Sequence, residues 1–209
     1  MKLKVKVCGM REDKNILQVA DCKPDYMGFI YYEHSPRFVG KDFQIPEMNS
    51  TIKKTGVFVN CPADFILKEA DKNSLDVVQL HGEEPVELCH KIKSHGCQVI
   101  KAFSVDGNFD FEPLKDFQGA TDFFLFDTKG KGYGGTGKTF DWDILNRYEY
   151  PTPFFLSGGL SPENVPGISA IRNPNLYGLD LNSGVEESPG LKNIDKIKRI
   201  FHLLSENNY

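Results

Sequence analysis

The chain is expected to fold as one α/β domain, a (β/α)₈ barrel spanning residues 1–209. Three observations predict this. Eight short apolar, β-branched or aromatic runs recur at spacings that suit βα units. Helix signals lie between most of them. No internal repeat, low-complexity tract or linker divides the 209 residues, a length that can bury a substantial core. Periodicity alone does not distinguish a closed barrel from a doubly wound open sheet, which is the structural competitor.

The first run, Leu3–Cys8, alternates lysine with apolar residues, as a strand with two different faces does. Asp13–Ala20 follows as a helix. Tyr26–Ile30 is the second strand and Gly56–Val59 the third. Pro62–Ala70 reads as a helix with proline in its first turn, where the missing N–H costs nothing. Val77–Leu80 is the fourth strand. Glu84–Ile92 is a helix with Pro85 in the same role and Val86, Leu88, Cys89 and Ile92 as its apolar side. Strands are expected at Val99–Phe103, Phe123–Phe126, Pro153–Leu156 and Leu176–Leu181. Helices are expected at Phe140–Leu145, at Ser161–Val165 with Ser161 as N-cap, and at Ile194–Leu204. In the last, Ile194, Ile197, Ile200, Phe201 and Leu204 share one face at 3.6-residue periodicity.

A net charge of −4, with 26% charged residues, gives no basic footprint for nucleic acid or an anionic membrane. No apolar run reaches the roughly 18 residues of a membrane span, and the N-terminal run lacks the unbroken apolar stretch of a signal peptide. The expected location is cytoplasmic. The five cysteines are widely spaced, with no C-x-x-C pair, and read as reduced thiols. His34, His81, His90, His95 and His202 are scattered, so no metal site is expected.

In parallel α/β folds, ligands bind beyond the carboxyl ends of the strands. Cys8, His81, Asp127 and Asp180 all stand there. A thiol near a cation such as Arg11 forms thiolate more readily, which suits a base or nucleophile. Asp127, ending F-F-L-F, suits a general acid, because apolar surroundings favour the protonated carboxyl. The bland readings are a core cysteine and a loop ion pair. The strongest signal is for phosphate. Gly158-Gly159 after the seventh run and Asn182-Ser183-Gly184 after the eighth allow backbone N–H groups to approach an anion, with a helix start behind the first pair. The segment 128–139, with five glycines and Lys129, Lys131 and Lys138, reads as a basic lid. It matches G-x-x-x-x-G-K-T literally, but Asp141 and Trp142 follow where a nucleotide-binding helix would continue with small apolar residues.

Taken together, K-V-C-G-M-R, Y-Y-E-H-S-P-R-F-V, Q-L-H-G, the F-D-T…G-G-T-G-K-T-F-D-W stretch, L-S-G-G-L-S-P-E-N-V and G-L-D-L-N-S-G-V-E-E-S-P-G resemble the phosphoribosylanthranilate isomerases of tryptophan biosynthesis, in order and from about residue 4 to 200. The resemblance implies a cofactor-free TIM barrel. It implies an Amadori rearrangement of N-(5′-phosphoribosyl)anthranilate to 1-(2-carboxyphenylamino)-1-deoxy-D-ribulose 5-phosphate. In it Asp127 would be the general acid and Cys8 the general base. Arg37 would meet the anthranilate carboxylate, with His81 and Asp180 lining the pocket. Gly158, Gly159, Asn182, Ser183 and Gly184 would form the phosphate site, Asn182 standing where the family often has serine. The partner implied is a small phosphorylated substrate, not nucleic acid or membrane, and the state a monomer or homodimer. Metal-dependent epimerases would need His and Asp ligands at strand ends, and orotidylate-type decarboxylases a D-x-K-x-x-D motif; neither is present. A non-catalytic phosphate-binding barrel would leave Cys8 and Asp127 without a role.

Overall fold

The computed structural model describes residues 2–48, 51–128 and 141–207. Eight parallel strands close into a barrel in chain order. They are β1 (Lys4–Cys8), β2 (Tyr26–Ile30), β3 (Lys53–Phe58), β4 (Val77–Leu80), β5 (Gln98–Val105), β6 (Phe123–Thr128), β7 (Phe154–Leu156) and β8 (Leu176–Leu181). Closure comes from β1 pairing with β8, with Lys6 opposite Asp180. All eight runs expected from the sequence are strands, and closure excludes the open sheet. The third strand starts earlier than its apolar run, at Lys53. Its first two side chains are half-buried, and polar residues at a barrel rim leave no hydrophobic signal.

The outer layer divides in two. Helices α1 (Asp13–Asp21), α2 (Ala63–Asn73), α3 (Val86–Ser94) and the closing α4 (Ile194–Glu206) are α-helical. Pro62 and Pro85 sit at the N-cap positions of α2 and α3, extended and one step outside the first turn. Between β5 and β8 the described parts of the connections carry 3₁₀ turns instead: Glu112–Phe117, Trp142–Arg147 and Val165–Ala170. The helix expected over Ser161–Val165 is therefore absent. Pro166 has no N–H to donate back to Pro162, and Gly167 disfavours helix. That expected at Phe140–Leu145 falls partly outside the described residues; a 3₁₀ turn begins at Trp142, after Asp141 accepts from the Asp143 N–H at 3.1 Å. After β8 the chain makes a 3₁₀ turn, Ser183–Val185, and an antiparallel pair, β9 (Glu186–Ser188) with β10 (Leu191–Lys192).

Two apolar regions result. The larger lies between the barrel and its outer elements. The smaller fills the floor of the lumen, at the strands' amino ends: Tyr26, Val77, Ile100, Ala102, Phe123, Leu125 and Phe155, with Tyr177 packed on them. Tyr177 reaches the floor through an irregularity in β8, where Phe154 pairs with Leu176 and Phe155 with Gly178. Among the described residues, no helix is long and apolar enough to cross a membrane.

Candidate active site

The opposite end of the lumen is a polar pocket. Cys8, Arg37, His81, Asp127, Gly158, Gly159, Asp180, Asn182 and Ser183 line it together, with Ser35, Gln79 and Ser157 among their neighbours. Nine of the ten site residues expected from the sequence thus meet in one cavity. The tenth, Gly184, sits just behind the wall. A Cβ there would fall 2.0 Å from the Leu160 carbonyl oxygen, so its absence lets the loop after β8 dock on the loop after β7.

Strand ladders set these positions. The His81 N–H donates to the Phe58 carbonyl at 2.8 Å and the Ser157 N–H to that of Phe126 at 2.8 Å, carrying the sheet past the ends of β4 and β7. Asp127 is the penultimate residue of β6, inside the strand and not after it, and its Oδ1 accepts from the Thr128 N–H at 2.9 Å. Its Oδ2 lies 3.5 Å from His81 Nε2. The Gln79 amide donates to His81 Nδ1 at 3.0 Å, which leaves the ring proton on Nε2, facing Asp127.

Cys8 is buried at the end of β1. Arg11 is not its cation. That side chain is half-exposed, donates to the Pro36 carbonyl at 3.2 Å and pairs with Glu12 at 3.2 Å. The nearby charges are Lys6 and Lys192. Burial pushes the thiol above its ordinary value; Lys6 pulls it down, Asp180 adds to the rise, and Lys192 pulls it down more weakly. The net direction is up, opposite to the sequence expectation, because the strand end is enclosed. Lys6 donates to Asp180 at 2.9 Å with both side chains buried. Burial works against the Lys6 charge, but Asp180 and Cys8 outweigh it and hold the ammonium above the usual lysine value.

Arg37 comes from the turn after β2, which is pinned where Phe38 bridges to Ile30 and the Val39 N–H donates to the Ile30 carbonyl at 3.1 Å. Its guanidinium is not free. Nε donates to Glu186 at 2.9 and 3.2 Å and Nη2 at 2.7 Å, leaving Nη1 outside that fork. Burial pushes the Glu186 carboxyl up, but the hydrogen bond from Arg37 and the charge of Lys192 outweigh it, and the net direction is down.

On the phosphate side, Gly158 and Gly159 both have positive φ, +97° and +65°. A Cβ on Gly158 would meet Thr128 Oγ1 at 2.1 Å. A 3₁₀ turn and no α-helix follows β7, so the helix start expected behind these glycines is absent. Asn164 clamps this loop: its Nδ2 donates to the Gly159 carbonyl at 2.8 Å and its Oδ1 accepts from the Ser161 N–H at 2.8 Å. Lys129, Lys131 and Lys138, expected as lid cations, lie outside the described residues. Among the described residues no three His, Cys, Asp or Glu side chains are grouped as a metal would require.

Lys6, Gln79, Asn164, Glu186 and Lys192 were not singled out from the sequence. Lys6 carried a readable sign, since it shares the inward face of β1 with Cys8 two residues on. The others did not.

A family model for N-(5′-phosphoribosyl)anthranilate isomerase matches residues 5–203. The N-(5′-phosphoribosyl)anthranilate isomerase of Parabacteroides distasonis is 48% identical over 198 residues, covering 93% of this chain and 90% of the relative. The crystal structure of the phosphoribosyl anthranilate isomerase from Thermotoga maritima superposes with a TM-score of 0.82 at 36% identity, covering 98% of this chain and 99% of that one. A phosphoribosyl anthranilate isomerase in complex with reduced 1-(o-carboxyphenylamino)-1-deoxyribulose 5-phosphate superposes at 0.78, with 33% identity and coverage of 98% and 99%. The barrel, its polar mouth and these likenesses agree, and the chain belongs to the N-(5′-phosphoribosyl)anthranilate isomerase family.

Proposed function

We propose that this isomerase rearranges N-(5′-phosphoribosyl)anthranilate to 1-(2-carboxyphenylamino)-1-deoxy-D-ribulose 5-phosphate in tryptophan biosynthesis, with Asp127 as general acid and Cys8 as general base. The observation that carries this reading is the convergence of one carboxyl, one thiol, an arginine and two glycine-bearing loops on a single pocket. Asp127 gives its proton to the furanose ring oxygen, the C1′–O bond breaks, and the nitrogen lone pair forms an iminium. The iminium acidifies the C2′–H, which the Cys8 thiolate removes. The resulting enolamine takes a proton at C1′ and loses one from the C2′ hydroxyl to become the ketone. Burial disfavours the thiolate. Lys6 and Lys192 offset part of that, and the iminium adds a further positive charge at the step that needs it. Neutral His81, with Nε2–H toward Asp127, orients the acid.

Arg37 is assigned to the anthranilate carboxylate through its uncommitted Nη1, and Asp180 to the sugar hydroxyls. The amides of Gly158, Gly159, Ser183 and Gly184, with the Asn182 side chain, are assigned to the phosphate. Purified protein is expected to consume phosphoribosylanthranilate, followed by loss of its fluorescence, at the same rate with and without EDTA. No turnover would overturn the substrate assignment, and loss of activity with chelator would overturn the metal-free mechanism.

A further inference from the structure

Beside the pocket is a buried lysine that the reaction as written uses only as a weak charge near the thiol. The Lys192 ammonium donates to Glu186 Oε1 at 2.6 Å and to Asn182 Oδ1 at 2.8 Å. Its backbone is clamped in both directions by Asn15, which accepts from the Lys192 N–H at 2.8 Å and donates to its carbonyl at 3.0 Å. Lys192, Asn15, Glu186 and Arg37 are all buried. The same Glu186 oxygen also accepts from the Gly190 N–H at 3.0 Å and from Arg37 Nε at 2.9 Å. A Cβ built on Gly9, the residue after Cys8, would lie 2.7 Å from both Arg37 Cδ and Asn182 Oδ1 and 3.3 Å from Lys192 Nζ. The three side chains therefore meet against the backbone that carries the thiol.

We propose that Lys192 is a positioning residue of the reaction: bonded at once to Glu186 and Asn182, it aims Arg37 through the first and fixes the substrate-facing amide of the second. The inference rests on the assignment of Arg37 and Asn182 to substrate above. Burying an ammonium here is expensive, and burial does pull its pKa down to about 8 against the pull of Glu186. An apolar side chain would fill the space at lower cost but would do two kinds of damage. Arg37 and Glu186 alone form a neutral pair, so Lys192 supplies the excess positive charge on the wall that meets an anion. Without it, Glu186 loses one of the donors that hold its carboxylate against the guanidinium, and Asn182 loses the donor on its Oδ1.

The test is the Lys192→Met variant, assayed with phosphoribosylanthranilate for KM and kcat separately. KM is expected to rise about ten- to a hundredfold, as for the loss of charge-assisted hydrogen bonds, with kcat changed far less. Combined with Arg37→Met, it should raise KM by less than the product of the two single effects, because both act on one contact. Lys192→Arg should recover part of the loss. A lowered Tm with unchanged KM, or effects that multiply fully with Arg37→Met, would overturn the proposal. Should Lys192→Met fail to fold, the isosteric Glu186→Gln serves, and there an unchanged KM would overturn it. A wild-type protein without turnover would instead overturn the function and this inference with it.

Discussion

The floor and the mouth of the barrel lumen are built from the same strands and obey opposite rules. The floor is an aromatic plug in which Tyr26, Phe155 and Tyr177 meet edge to face, with Phe155 also against Phe123 and Phe123 tilted on Tyr177. The polar atoms there are few and paired; the Tyr26 and Tyr177 hydroxyls bond to each other at 2.9 Å. The mouth holds Lys6, Asp180, Asp127, Arg37, Glu186 and Lys192, nearly all buried. Replacing buried ion pairs by apolar groups is often neutral or stabilising, so the mouth is a poor way to gain stability. The difference teaches that the fold is held from below and that the upper lumen is retained for its chemistry.

The sharpest way to break the comparison is to remove chemistry from the mouth. Asp127→Asn and Cys8→Ala are each expected to lower kcat by about 10²–10⁴-fold while the protein stays folded. Near-normal kcat in both, with circular dichroism unchanged, would remove the assigned roles. The next largest effect belongs to the floor. Phe155→Ala empties a fully buried aromatic site and should cost about 3–5 kcal/mol in denaturant unfolding. KM for the folded fraction should be unchanged. A KM shift comparable to that of Arg37→Met would show that floor and mouth are coupled.

The fold was legible because its signal is local. Each barrel strand is a short apolar run, and reading them needs only neighbours in sequence, as Val77–Leu80 and Phe123–Phe126 illustrate. Cys8, His81, Asp127 and Asp180 were legible for a related reason, since a polar residue at or just past the carboxyl end of such a run stands at the pocket. The supporting charges were hidden by distance along the chain. Lys6 and Asp180 are 174 positions apart, and Arg37 and Glu186 are 149 apart. Their pairing exists only once β1 closes on β8 and the hairpin after β8 folds over the mouth. The turn after β7 was not legible for a third reason: Ser161 and Pro162 form a good helix start, and Pro166-Gly167 just beyond cancels it.

Alkaline pH sharpens the contrast, because Lys192 at the mouth and Tyr26 on the floor respond with opposite sign. Lys192, facing Glu186, Arg37 and Cys8, loses its proton in the folded state near pH 8, against 10.5 for an ordinary lysine. Between those values the unfolded chain binds more protons, so this group makes stability rise with pH, by about 3 kcal/mol in all. On the floor, burial first and then the bond to Tyr177 hold the Tyr26 phenol well above its ordinary value of 10. Above pH 10 the unfolded chain ionises first, and this group makes stability fall. Urea unfolding across pH 7–11 should therefore show a smaller gain from pH 8 to 10 in Lys192→Met than in wild type, and a shallower loss above pH 10 in Tyr26→Phe. Curves parallel to wild type would place neither group in the environment described.

The smallest effect comes from β1 itself, which carries one lysine at each end of the contrast. Lys6 is fully enclosed, whereas Lys4, two residues earlier at the floor rim, has a side chain 43% exposed and pairs with a 33% exposed Asp25 at 2.8 Å. That pair is open to water and salt, so Lys4→Met is expected to cost only about 0.2–1 kcal/mol, and less as ionic strength rises. Asp25 is not orphaned by the change, because its other oxygen still accepts from the Val5 N–H at 2.9 Å. Lys6→Met leaves the Asp180 carboxyl buried without its partner, and a charge stranded in that way costs about 3–5 kcal/mol. The same substitution on one strand thus measures what enclosure adds to an ion pair. Equal costs at the two positions would mean that water reaches the mouth as freely as the rim, and the polar upper lumen would no longer need a chemical explanation.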